Sequence, residues 1–394
     1  MKILRSIPTV NPAVGGPSEV VRQSSTALIA RGHEVEIVSL DAPDDPWVRE
    51  CPVRVHALGP GRGHYGFTRR FVPWLAERRT EYDAVIVHGV WQYSSFGVWR
   101  ALHGTGTPYF VFPHGMLDPW FNRTYPLKRL KKLLYWRWGE YRVLRDAAAV
   151  LFTSDEERRL ARQSFSPYRC LEKVVNYGTA APAIGASAAA EFFARFPHLQ
   201  GRRIFLFLSR LHEKKGCDLL LEAFARVRRA QGSDLHLVMA GPPANESYRE
   251  HLQKLAAAAS GGTGAEAAVT FTGMLTGNLK WGAFRAAEAF VLPSHQENFG
   301  IAVVEAMASG TPVLISNQVN IWREIAADEA GYVENDDLEG TTRLLERWLQ
   351  TTPEKRAVMQ ENAQSCFARL FEIQRAADSL LEVLTSGPRS PSST

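Results

Sequence analysis

Four cysteines in 394 residues, Cys51, Cys170, Cys217 and Cys366, stand singly, with no C-x-x-C pair and no Cys/His cluster. That scarcity argues against a disulfide framework and against a zinc site of the usual ligand spacing. Long apolar runs are missing too. Nowhere do about 18 apolar residues follow one another, and Met1 to Val10 lacks a continuous hydrophobic leader, so neither a membrane span nor secretion is expected. Nor does the composition lean toward disorder, since 45% hydrophobic and 22% charged residues is the balance of an ordinary folded chain. A reducing cytoplasm fits these absences.

The length favours two domains with separate cores. The net charge of +5 hides an uneven split: residues 1–180 carry 25 basic and 17 acidic residues (+8), and 181–394 carry 21 and 24 (−3). A basic first half points to an anionic partner such as a phosphorylated substrate, a lipid surface or a nucleic acid.

Short β-rich apolar runs alternate with helical patterns along both halves. In the first, strands are expected at Ile3–Ile7, Glu34–Leu40, Val53–Leu58, Ala84–His88, Tyr109–Pro113 and Ala149–Thr153, with helices near Ser18–Arg31 and Thr68–Arg79. In the second, strands at Ile204–Leu208, Leu235–Ala240, Val269–Thr272, Ala289–Leu292 and Pro312–Ile315 interleave with helices near Cys217–Arg229, Tyr248–Ala259 and Ile301–Ser309. That rhythm predicts an α/β fold, two doubly wound Rossmann-like domains facing across a cleft, over 1–180 and 181–384. An Ala/Pro/Gly/Ser-rich stretch at 180–190 suits a hinge, a helix near Glu361–Leu384, numbered with the second domain but able to pack on either half, closes the chain, and 385–394 should be a disordered tail.

The most informative segment runs from Pro293 to Pro312. A polar loop, Ser294-His295-Gln296-Glu297-Asn298, leads into a helix at Gly300-Ile301, with Glu305 one to two turns in. The N-terminus of such a helix offers free backbone N–H groups and the positive end of its dipole to phosphate oxygens. Two carboxylates beside it can accept hydrogen bonds from sugar hydroxyls; read alone, they are equally a solvated loop acid and an exposed helix acid. A second segment, Phe207-Leu208-Ser209-Arg210-Leu211-His212-Glu213-Lys214-Lys215-Gly216, sets the planar fork of Arg210 and the point charge of Lys215 after a strand, a pairing suited to a diphosphate. Near the start, Gly15-Gly16 links the first strand to the first helix, where glycine lets backbone approach a ligand.

These segments, in this order, resemble the E-x7-E signature of retaining, nucleotide-sugar-dependent glycosyltransferases with the GT-B fold, the "glycosyl transferases group 1" type of family 4. The match runs through Glu-Ala-Met-Ala-Ser-Gly-Thr-Pro-Val after Glu297 and through Arg-Leu-x-x-x-Lys-Gly at Arg210, with Ser209 replacing the family's first glycine. The resemblance implies transfer of a hexose from a UDP- or GDP-sugar to an acceptor hydroxyl, with anomeric retention and without a metal or cofactor. It sets Glu297 and His114, the latter in Phe-Pro-His-Gly, beside the transferred sugar as catalytic residues. Glu305 would hold the nucleotide ribose, and Gly16, Arg210, Lys215, Asn298, Phe299, Gly300 and Ile301 would complete the donor site. The first domain would take the acceptor, a glycan or lipid-linked precursor, and the second the donor. An epimerase or hydrolase on the same fold, or a noncatalytic sugar-nucleotide or membrane-surface binder, are the rival readings.

Three further features compete for attention. Asp118, before Pro119, reads as a turn or cap residue at least as readily as a site residue. Gly61-x-Gly63-x-x-Gly66 superficially suggests dinucleotide binding, but the partner acid expected about 20 residues on, at the end of the next strand, is missing, since Glu81 and Asp83 precede the strand. Arg123 to Arg145 holds eight basic residues against one acid, Glu140, with Leu127, Leu130, Leu134, Trp138 and Tyr141 at helical spacing. Such a face suits the inner surface of an anionic membrane, or equally an ordinary packed helix with a solvated basic edge. No recognised nucleic-acid motif accompanies it, so no nucleic-acid partner is expected.

Overall fold

The computed structural model describes residues 1–182, 185, 187–231, 234–260 and 267–386. Two compact units emerge, one of Met1–Ala180 together with the closing segment from Glu372, the other of Ala181–Phe371. Among the described residues, the first holds a seven-stranded parallel sheet, β1 (Lys2–Ile7), β2 (Glu34–Ser39), β3 (Val55–Ala57), β4 (Ala84–His88), β5 (Tyr109–Phe112), β6 (Ala149–Phe152) and β7 (Glu172–Val174), in the order β3-β2-β1-β4-β5-β6-β7. The second holds six parallel strands, β8 (Arg203–Leu208), β9 (Leu235–Ala240), β10 (Val269–Gly273), β11 (Ala289–Leu292), β12 (Val313–Ser316) and β13 (Gly331–Glu334), in the order β10-β9-β8-β11-β12-β13.

The central strands are short continuous apolar runs because helices cover both faces of a parallel sheet. Val85, Ile86 and Val87 of β4 and Phe205, Leu206 and Phe207 of β8 are at most 1% exposed. One edge of each sheet escaped the sequence reading for the converse reason: Lys173 and Val174 of β7 are exposed, and β13 is four residues long, so neither leaves a run of apolar residues to see.

Each sheet reverses its winding once, between β1 and β4 in the first unit and between β8 and β11 in the second. At such a point the loops leaving adjacent strands diverge to opposite faces, which opens a crevice at the carboxyl ends. The segments singled out above that follow β1, β5, β8 and β11 lie at or next to one of these two places, whereas Gly61–Gly66 follows β3, two strands from β1.

The chain's end departs from expectation. The closing helix is interrupted by a wide π-type turn at Phe367–Phe371, which separates Pro353–Cys366 from Ile373–Thr385. The last helix, assigned above to the second domain, belongs to the first unit. Ile373, Ala376, Ala377, Leu380 and Leu384 form its buried stripe, each large aliphatic contributing about 1.5–3 kcal/mol. It packs beside the helix Gly16–Ala30, where Arg31 pairs with Asp378 (2.9 Å) and donates to the Gln374 carbonyl (2.8 Å). Ile373 N–H donates to the Thr179 carbonyl (3.0 Å), which fixes where this helix begins. The hinge expected over 180–190 lies partly outside the described residues, and Ala188–Arg195 is helical. Of the tail expected over 385–394, residues 387–394 lie outside them, and Thr385 ends the last helix.

Candidate active site

At the switch point of the second unit, β8 and β11 pair side by side, Ala289 with Phe205 and Phe290 with Leu206. The loop after β8 turns through Glu213–Lys215, capped by His212, whose ring nitrogen accepts the Lys214 N–H (3.0 Å). Gly216 ends this turn at φ +64, where a Cβ would meet the Pro293 carbonyl oxygen at 2.2 Å. His295 N–H then donates to the Lys214 carbonyl (2.9 Å). The two loops are thus clasped by backbone, and only glycine permits the approach.

The clasp brings Lys215 onto Glu297, an ion pair between side chains 16% and 18% exposed. Burial pushes the Glu297 carboxyl up, but Lys215, Lys214 and the Asn298 N–H outweigh it and hold the group below the usual carboxylate range. Glu297 is fixed further by backbone bonds to the loop after β12: its N–H donates to Gln318 O (3.0 Å), and its carbonyl accepts from Asn320 N–H (2.9 Å). Arg210, on the preceding turn, is exposed, and Leu211 N–H donates to Pro242 O (2.9 Å), which anchors that turn to the loop after β9.

Gly300 caps the helix Ile301–Ala308 in a left-handed conformation, φ +76, and a Cβ there would crowd Val303 and Glu297. Val303 N–H already donates to the Gly300 carbonyl (2.8 Å), so the N–H groups at the open end of this helix are those of Gly300, Ile301 and Ala302, one loop from the Lys215–Glu297 pair. Phe299 is buried against Phe371, ring centroids 5.6 Å apart, so it serves as an anchor for the loop, while the Asn298 side chain meets Asn320 (3.3 Å). Glu305 is 8% exposed and accepts from Lys280 Nζ (2.7 Å). Lys280 sits on the helix Gly277–Ala286 over the Trp281 ring. Sequence reading missed Lys280, because no spacing motif links it to Glu305. It also missed Asp336, which accepts from the His295 ring (2.9 Å) and raises that imidazole's pKa.

The first unit places His114 differently. It follows β5 at φ +51, with Gly115 at φ +73. The Gly115 N–H donates to the buried Glu157 carboxylate (2.6 Å), which also takes the Thr153 N–H and hydroxyl, and so holds this turn. The His114 ring stacks on Phe112, and its Nε2 lies 3.0 Å from His88 Nδ1. Burial first, then the nearby charge of Arg5, pushes its pKa down to about 3, so the imidazole is neutral at physiological pH. Gly16 opens the helix that follows β1 behind Gly15 at φ +118, and Asp41 tethers the loop before it through Val10 N–H (2.9 Å) and the Thr9 hydroxyl (2.5 Å).

Asp118 is a helix cap, accepting from Trp120 N–H (2.8 Å). The Gly61–Gly66 stretch closes on itself by an antiparallel bridge between Arg62 and Phe67, and the next helix begins only at Phe71, so it forms no strand–turn–helix phosphate loop. The basic 123–145 segment breaks into Pro119–Thr124, Pro126–Trp136 and Glu140–Arg145. Its expected apolar face points outward, with Leu127, Leu134 and Trp138 each at least 67% exposed.

Two family models match the chain: "Glycosyl transferases group 1" over 189–365 and "Glycosyl transferase 4-like domain" over 15–172. The chain belongs to the group 1 glycosyltransferases. Among curated relatives of this group, the mannosylfructose-phosphate synthase of Agrobacterium fabrum is 34% identical over 32% of this chain and 27% of its own length. The alpha-D-kanosaminyltransferase of Streptomyces kanamyceticus is 30% identical over 62% of each. The chain therefore spans less than two thirds of either relative. The solved structure of Anabaena HepE in complex with UDP and glucose superposes with a TM-score of 0.78 at 18% identity, covering 98% of this chain and 100% of that one. The family's two-sheet architecture is thus the one observed. No helix among the described residues is long and apolar enough to cross a membrane, and none of their His, Cys, Asp and Glu side chains cluster in threes as metal ligands.

Proposed function

We propose that this group 1 glycosyltransferase moves a hexosyl group, with retention, from a nucleoside diphosphate sugar to an acceptor hydroxyl. The donor is taken by the second unit and the acceptor, a glycan or lipid-linked glycan, by the first. One observation carries the reading: at the β8/β11 switch point, Lys215 is paired to Glu297 one loop before a helix N-terminus, another carboxylate, Glu305, is paired to Lys280, and Arg210 stands exposed on the turn that leads to Lys215. The cations and helix N–H groups suit a departing diphosphate, and the carboxylates suit sugar and ribose hydroxyls.

In this mechanism the bond from the anomeric carbon to the diphosphate oxygen breaks as Arg210, Lys215 and the N–H groups at Gly300 and Ile301 take up the charge that develops. The acceptor oxygen enters on the same face, and its proton passes to the departing phosphate oxygen, so the configuration is kept. Glu297 positions the sugar ring. His114, neutral, exchanges a hydrogen bond with a sugar hydroxyl rather than a proton. The cations supply the charge neutralisation for which other transferases use a divalent ion, so activity should be metal-independent. Gly273 to Leu275, after β10, would meet the base through backbone. The exposed Leu127, Leu130 and Leu134, bordered by Lys128, Lys131 and Arg129, suit a peripheral seat on anionic lipid.

The test is nucleotide release from UDP- and GDP-sugars in EDTA, with and without glycan acceptors, and NMR of the product anomer; uridine comes first because HepE holds UDP. Release that needs an acceptor, survives EDTA and gives the donor's anomer is expected. Equal release without acceptor would favour a hydrolase.

A further inference from the structure

Arg5 lies inside β1 at 1% exposure. Its Nη1 donates to Ser24 Oγ (2.5 Å) and to the Val21 carbonyl (3.3 Å), while its Nε has no hydrogen-bond partner among the described residues. Parallel register pairs Arg5 with Ile86, so His88, two residues further along β4, emerges on the same face. His88 is 3% exposed, and its Nε2 is likewise without a partner among the described residues.

Both side chains line one cavity of about 20 Å³ within the first unit. Val20, Val21 and Phe112 wall it, and the last helix seals it with Ile373, Ala376 and Leu380. No carboxylate lines it. A guanidinium this deep keeps its charge at neutral pH, since burial lowers its pKa only to about 10. The cavity is large enough for a water, but water would leave that charge uncompensated in a poorly polarisable interior.

We propose that this cavity binds a small monovalent anion of chloride size, held by Arg5 Nε–H and His88 Nε2–H. The anion neutralises the guanidinium and satisfies both orphaned donors at once. It also sets a tautomer: with Nε2 donating to the anion, neutral His88 keeps Nδ1 as an acceptor. His114 Nε2–H then donates across the 3.0 Å contact, which leaves His114 Nδ1 as an acceptor for a ligand hydroxyl. The anion thus prepares the ring from behind and helps to seat the last helix.

Two measurements on the full chain test this. In crystals of the wild type soaked in sodium bromide, an anomalous peak is expected within hydrogen-bonding distance of Arg5 Nε and His88 Nε2. In thermal unfolding at constant ionic strength, with chloride exchanged for gluconate, which is too large for the cavity, stability should rise with chloride. Above saturation, the folding constant should gain about tenfold per tenfold chloride. Arg5→Met should abolish both effects. An empty or water-filled cavity in molar bromide would overturn the proposal even if the variant fails to fold. So would a bromide peak without chloride-dependent stability, which would mark an adventitious ion only.

Discussion

The two switch points share a topology and solve opposite electrostatic problems. In the second unit, partly exposed cations are held by carboxylates, Lys215 by Glu297 and Lys280 by Glu305, so these charges are paired within the unit. In the first, a guanidinium and an imidazole share a cavity that no carboxylate among the described residues lines, a second imidazole, His114, stands 3.0 Å from the first, and two nitrogens are left without partners among the described residues. One crevice can trade its internal partners for those of a charged, hydroxyl-rich ligand. The other holds a neutral histidine in a fixed orientation. A shared winding therefore says where a ligand binds, and the charges say what kind.

The sharpest way to break that contrast is to remove the second unit's cations. Replacing Arg210 or Lys215 by Ala should lower kcat/KM about 10²–10³-fold each, since in the proposed mechanism both face charge that develops in the transition state; steady-state kinetics with saturating acceptor reads it. Should His114→Ala cost as much in kcat as either, the assignment of charge stabilisation to the second unit would fail.

Gly216→Ala tests the backbone clasp itself. A Cβ 2.2 Å from a carbonyl oxygen and a left-handed φ should together cost about 2–4 kcal/mol, visible as a lower urea midpoint, with donor affinity falling alongside. An unchanged midpoint would mean that the loops are not locked together.

Buried charge in the first unit gives the next effect. Glu140 is fully buried, accepts from Trp91 N–H (2.9 Å) and Ser95 Oγ (3.0 Å), and burial raises its pKa from 4.5 to about 7. A carboxyl raised in the folded state binds its proton more tightly there, so the penalty of ionising it is absent below pH 4.5 and complete above about 7. Glu140→Gln should therefore stabilise the protein by about 1–3 kcal/mol at pH 8 and by little at pH 4. Equal effects at both pH values would contradict the buried charge.

Lys280→Met should be mildest, raising the donor KM about tenfold with kcat nearly kept, because Lys280 holds Glu305 (2.7 Å), whose proposed ribose contact would be the same in ground and transition states. A fall in kcat instead would move Lys280 into the chemistry.

How much of this was legible beforehand follows the same division. Glu297, Glu305, Arg210 and Lys215 lie in contiguous segments whose order carries a family pattern, and the central strands announce themselves as apolar runs. Lys280 is remote in sequence from its partner, and only folding supplies the pairing. Arg5 and His88 stand in two strands read from the sequence, Ile3–Ile7 and Ala84–His88, but that they are neighbours follows from sheet order, which no local pattern contains. The last helix showed a buried stripe at residues 373, 376, 377, 380 and 384. A stripe says that a face is covered, not by which unit, and here it is the first. The basic segment left two readings open, because its helical spacing of leucines looks the same whether the face is packed or bare, and here Leu127, Leu130 and Leu134 are bare.

The central claim is that the loops after β8 and β11 bind a nucleoside diphosphate through fixed cations. Calorimetric titration of UDP and GDP, in EDTA, into the wild type and into Arg210→Ala/Lys215→Ala tests it most directly. Metal-free binding of one of the two by the wild type is expected, weakened at least about 100-fold in the double variant. Equal affinity for both proteins, or binding that EDTA abolishes, would contradict it.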